Sequence, residues 1–194
     1  MSVYTEIRDA VFAWTNRPTF TTETDIAIRH AVRAAHRAGT FYRDLVTTPL
    51  VGQSISTQIQ TIDLSSVAPM YRQLAYVKPT DYEMKYEEAH ILDLFDLDKQ
   101  PRLDVYWVVG NTMNIRAASP AENITLCYYK NPTLTPIANL DSWIAVDHPD
   151  LIICSAAASI FAAIGEQEIK ARVEAIAKLA KEDLIADNLF AVAR

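Results

Sequence analysis

A chain of 194 residues, half of them apolar and 22% charged, with four glycines against nine prolines, has the composition of a packed globule. That excludes collagen-like, linker-like and disordered classes, and the length suits one domain with room for a sizeable insertion. The net charge of −6 argues against a nucleic-acid-coating role, which needs a concentrated Lys/Arg field to displace counterions from phosphates.

In chain order, Val3, Ile7, Val11 and Trp14 recur at helical spacing and predict an amphipathic helix over 3–15. Glu6, Arg8 and Asp9 fall where a secretory signal would need its apolar region, so no such signal is read there. The "NRP" at 16–18 ends the helix. Thr22 with Asp25 has the form of a capping box for a second helix, which runs through Ile28, Val32 and Ala35 to a C-terminal Gly39. Its other side carries Arg29, Arg33 and Arg37 every fourth residue, with Asp25 one turn earlier.

From about Gly52 the period changes to two. Ser54 to Ile62, Tyr71 to Val77, Leu103 to Val109, Thr112 to Arg116 and Asn123 to Tyr129 read as strands rich in β-branched and aromatic residues. Gly110-Asn111 joins two of them as a tight hairpin with Gly first, the type II′ preference. "YEEAHILDLFDLDKQP" reads as an acidic loop with a short helical turn, ended by Pro101, and Pro132 and Pro136 close the β region.

The last third returns to helix. Trp143 opens a short segment, and Pro149 suits the first turn of a longer helix. In that helix Leu151 to Gly165 holds no ionisable group but Cys154. At about 22 Å the segment is too short for a hydrocarbon core of about 30 Å, and its Ala and Ser content fits a tightly packed bundle centre. Gly165 caps or breaks it. In the final helix, helical to about Leu189, Ile169, Val173, Ile176, Ala180 and Leu184 form a stripe, with Glu166–Lys170 and Glu174–Lys178 pairs on the exposed side. The fold class expected is mainly α (α+β): a bundle of about four to five helices over 1–50 and 137–194, with an inserted antiparallel β-rich region over 51–136.

Chemistry is sparse. His30, His36, His90 and His148 lack zinc-ligand spacing, and Asp93, Asp96 and Asp98 lack the Gly and closing Glu of a calcium loop. No nucleophile elbow, Walker loop or dinucleotide turn is present. Glu87-Glu88 reads as wet surface, with acid/base work by Glu87, Glu88 or Asp93 in a small hydrolase as the alternative. Cys127 and Cys154 sit in apolar runs and read as buried free thiols, as suits a reducing cytoplasm. No catalytic, metal or cofactor residue is assigned. Trp14, Trp107 and Trp143 read first as core and second as contacts. The interface candidates are Arg29, Arg33, Arg37 and Trp143, since Arg's planar fork suits ion pairs between subunits.

"VYWVVGNTMNIRA" at 105–117, "ITLCYYKNPTLTP" at 124–136 and "DSWIAVDHPDLIICSAAASIFAAIGEQE" at 141–168 together resemble the head-to-tail adaptor (connector, or head-completion) proteins of tailed bacteriophages. "RPTFTTETDIAIRHAVRAAHRAGTFYRDLV" near the start is similar to that family's early helix and turn. The resemblance implies a non-catalytic virion protein at the neck between head and tail, assembled in the host cytoplasm. It also implies a helical bundle with a β-rich insert, in a ring of about twelve copies. The partners implied are the portal ring, tail or nozzle proteins, further copies of the chain and double-stranded DNA passing without sequence-specific contact, with no membrane and no cofactor. Twelve copies at −6 would give a ring of about −72, which would repel DNA from an acidic bore. Family members often end in an extended arm, whereas helical periodicity here persists almost to the last residues. Within assembly the alternative is a tail-terminator or tail-completion protein.

Overall fold

The computed structural model describes residues 2–50, 59–80, 84–90, 102–119 and 123–192, the last three by their backbone. Among them are six α-helices and two sheets of three and four strands, 51% helical and 25% strand. This corrects the expected fold class: the chain is α+β with two sheets, not a mainly α helical bundle carrying an inserted antiparallel β-rich region. Two compact units divide it, one of Met1–Arg43 with Asn131–Arg194 and one of Asp44–Lys130.

The first unit begins with α1 (Val3–Thr15), where the Ser2 hydroxyl accepts from the Thr5 amide at 3.3 Å. Its buried stripe is Tyr4, Ile7, Val11 and Thr15. Trp14, expected on that stripe, is 48% exposed, because the buried stripe runs from Val11 to Thr15 by a second four-residue step and so bypasses it. Asn16 in the left-handed region (φ 51°) ends the helix, a conformation Asn tolerates better than most side chains. In α2 (Thr21–Arg37) the expected capping box does not form: Phe20 is the cap, without a side-chain hydrogen bond. Asp25 is engaged elsewhere, accepting from the Tyr4 hydroxyl of α1 at 2.5 Å. Burial together with this bond raises the Tyr4 pKa.

Two further helices of this unit, α4 (Trp143–Asp147) and α5 (Pro149–Ala163), precede α6 (Gln167–Val192). The uncharged segment is the spine of the unit. Leu151, Ile152, Ala156 and Ile160 of α5 join the core formed with α1 and α2, while Cys154, Ala157, Ala158 and Phe161 pack with Val173 of α6. A helix covered on several sides has no reason to be amphipathic, which is why α5 reads as apolar all round. Ala27, Ala31 and Ala35 of α2 are buried with it in the same core. Among the described residues no helix is long and apolar enough to cross a membrane.

The α5–α6 joint follows from Gly165. With φ at 85° it lets the Glu166 amide reach the Phe161 carbonyl at 3.0 Å and its own amide reach Ala162 at 3.3 Å. This pairing of two orphan carbonyls is the Schellman arrangement, and it needs a left-handed residue that Gly supplies without a Cβ penalty.

The second unit opens with β1 (Leu45–Leu50), which pairs with β7 (Ile124–Lys130), which in turn pairs with β3 (Tyr71–Pro79). The other sheet runs β2 (Gln60–Asp63), β6 (Thr112–Arg116), β5 (Val105–Val109) and β4 (Glu87–Glu88). β4 is parallel to β5, so the unit is not purely antiparallel, the second correction to the expected class. Pro49 is accommodated because β1 is an edge strand. Central β7 buries Ile124 through Tyr128 without alternation, as a strand covered on both faces should. Gly110 at φ 63° turns β5 into β6, with Val109 opposite Thr112, in keeping with the expected hairpin. A single-turn helix, α3 (Leu64–Val67), starts where the Asp63 carboxylate accepts from the Ser65 amide and hydroxyl. These bonds hold the Asp63 carboxyl below its ordinary range. Residues 54–58 of the first predicted strand, and 91–101 of the acidic segment with Asp93, Asp96, Asp98 and Pro101, lie outside the described residues.

Tyr86, which bridges to Val77 of β3, and Tyr106 of β5 are both buried in this unit's core. Burial first, and then nearby Asp104 for Tyr86 and Glu88 for Tyr106, pushes each phenol up to about 12. Both pKa values rise above the unfolded 10.0, so the stability tied to the neutral phenols is fully present below pH 10 and is lost as pH climbs through 12. An ultraviolet phenolate titration is expected to show these two tyrosines as a late class whose ionisation coincides with unfolding of the β unit. Early, reversible ionisation of every tyrosine would contradict this.

Candidate functional site

The most developed cluster of polar and aromatic side chains in the first unit surrounds Trp143. The route to it starts at Gly39, where a Cβ would stand 3.3 Å from the Phe41 ring. Its absence lets Phe41 fold back into the core, and the next residues, Tyr42–Asp44, form a 3-10 turn. That turn delivers Arg43, whose guanidinium carbon lies 4.5 Å from the centre of the Trp143 ring, a cation–π arrangement. The indole also meets the rings of Phe41, His36 and His148 edge-on, at 5.4, 6.0 and 6.3 Å.

Ser142 anchors this cluster from behind. Its hydroxyl accepts from the Ala145 amide at 3.2 Å, capping α4, and lies 2.9 Å from His36 Nε2 of α2, with both side chains buried. Ser142→Ala removes a cap and a buried hydrogen-bond partner together, and is expected to lower the stability of the chain by about 2 kcal/mol. Urea unfolding measures it; an unchanged midpoint would contradict the assigned role.

On the open side, Arg43 pairs with Asp147, and His148 Nε2 stands 3.7 Å from an Asp187 oxygen of α6. Together with Tyr42, Trp143, Leu184 and Asn188 these residues line a cleft of about 210 Å³. Asn188 Oδ1 is buried and has no hydrogen-bond partner among the described residues.

Of the residues singled out from sequence, Trp143 is half-buried at the wall of this cleft. Arg33 and Arg37 are exposed on α2, and Arg29 is half-buried, its Nε enclosed without a hydrogen-bond acceptor among the described residues. The cation seated on Trp143 is Arg43, a residue that no local pattern singles out from the other arginines. Asp25, expected beside the arginine row, is engaged with Tyr4. Glu87 and Glu88 are exposed, and Glu87 pairs with Arg102 at 2.6 Å; Asp93 lies outside the described residues. Among the described residues no group of three His, Cys, Asp or Glu side chains gathers to hold a metal ion. Cys127 and Cys154 are buried and free, and burial raises the Cys154 thiol pKa.

Comparison with known proteins gives no match to any family model and none to a curated protein.

Proposed function

We propose that this chain is a structural assembly protein, a head-to-tail adaptor that mounts on a phage portal and lets DNA pass toward the tail. The observation that carries the assembly reading is the surface of α6. Of its described side chains only Val173 and Leu184 are buried, while Ile169, Ile176, Leu179, Ile185 and Leu189 are exposed. Ile169, Ile176 and Leu179 share the flank beside the buried stripe, and Ile185 and Leu189 lie together on the opposite side. Large apolar side chains repeated along one helix suit a surface that partners cover.

The choice of an adaptor among assembly proteins rests on the sequence resemblance. Its segments fall on the β5–β6 hairpin, on β7 and on α4 through the start of α6. The role is non-catalytic, in a ring of about twelve copies, and the excess of acids over bases keeps DNA from adhering to the bore. Mixing the purified chain with its candidate portal ring and imaging the mixture by electron microscopy tests this. The expected result is added density on one face of the portal, in register with its symmetry; portals that remain bare would overturn the reading.

A further inference from the structure

We propose that the cleft beside Trp143 receives a basic side chain, an arginine guanidinium or lysine ammonium, from a partner protein. The identity of that partner rests on the assembly reading above; the ligand chemistry does not.

The cleft carries a surplus of negative charge, with Asp147 and Asp187 on its walls and Arg43 as their fixed cation. Its permanent cation, Arg43, is committed to the Trp143 face and to Asp147. Among the described residues the Asp187 carboxylate, 70% exposed, faces only the His148 ring, at 3.7 Å. That exceeds hydrogen-bonding distance, and the ring is not a permanent cation. Two carboxylates against one fixed cation leave one negative charge in surplus. Asn188, on the same wall, adds a buried Oδ1 that has no donor among the described residues. A group bringing N–H donors and positive charge satisfies both.

Size and lining point the same way. About 210 Å³ falls below the roughly 300–1,000 Å³ typical of cofactor and drug-sized sites, and suits a side-chain head with part of its stem. Buried Leu184 and half-exposed Tyr42 offer apolar contact to methylenes, as long basic side chains require. An anion entering here would meet Asp147 and Asp187.

The test uses the full chain and agmatine, a guanidinium on a four-carbon stem, followed by the Trp143 indole N–H resonance, assigned with Trp143→Phe. Agmatine is expected to shift that resonance saturably, with affinity about tenfold lower in Asp187→Asn, the loss of one charge-assisted bond. Asp183→Asn changes net charge equally on an exposed position of α6 outside the cleft and should leave binding unaltered. Neutral 1-pentanol and inorganic phosphate should give no saturable shift. No saturation with agmatine, equal weakening by the two aspartate variants, or a saturable response to phosphate would each overturn the proposal. Those outcomes leave portal mounting untouched, and bare portals would leave a positive agmatine result standing.

Discussion

Ala157→Asp is expected to yield no soluble folded protein. Ala157 is fully buried between Cys154, Phe161 and Val173 where α5 meets α6. A carboxylate there meets no partner, and burying it costs several kcal/mol even after relaxation. The extra volume adds about 1–3 kcal/mol of overpacking. Against a total stability of about 5–15 kcal/mol, the sum removes most or all of the folded population. Ala162→Asp, on the exposed side of the same helix, is expected to express and fold. Soluble yield and circular dichroism of the pair check the contrast; a folded Ala157→Asp protein would show that α5 is not the spine.

The second large effect belongs to the β unit. Asp44→Ala is expected to destabilise that unit by about 3 kcal/mol, the lower end for breaking a buried ion pair by removing one partner. Asp44 is 2% exposed, and its carboxylate stands 3.4 Å from Arg72. The Arg72 guanidinium also lies over the Tyr129 ring at 5.5 Å, and Arg cannot shed its proton to escape burial. Replacing both partners, Asp44→Leu with Arg72→Met, should recover most of the loss, because an apolar pair leaves no uncompensated charge. Urea unfolding followed at the indole N–H resonance of Trp107, which lies in the β unit, measures both. A double variant no more stable than the single would contradict the account.

What could be read in advance followed the reach of each interaction. The helices α1, α2, α5 and α6 announced themselves because their periodicity is local, and the hairpin at Gly110 because its geometry needs only two residues. β1 went unrecognised: "LVTTPL" carries a proline, and only its place at a sheet edge makes that acceptable. β4 is two residues long and pairs in parallel with β5, a long-range match with no local signature. Without these elements the β region looked like an appendage, and the fold class was misjudged accordingly. The Thr22–Asp25 box failed because Tyr4, 21 residues away, captures the carboxylate.

The site was less legible than the fold. Trp143 drew notice as an aromatic, yet its companions His36, Phe41, Arg43, His148 and Asp187 come from both ends of the chain, and only folding collects them. Ser142 was within reach, since a serine directly before a predicted helix is an N-cap signal. The α6 stripe was read too broadly: Val173 and Leu184 are buried, while Ile169 and Ile176 face outward. That surplus of apolar residues is what a lone chain leaves unexplained and an assembled one would cover.

Hydrogen exchange on the free chain and on the chain mixed with portal rings tests most directly whether a dry α5 scaffold carries partner surfaces on its outside. Amides of Leu151 to Phe161 should exchange slowest in both states, with new protection confined to exposed positions such as those of α6. Fast exchange along α5 in the free chain, or protection that appears there only on mixing, would contradict it.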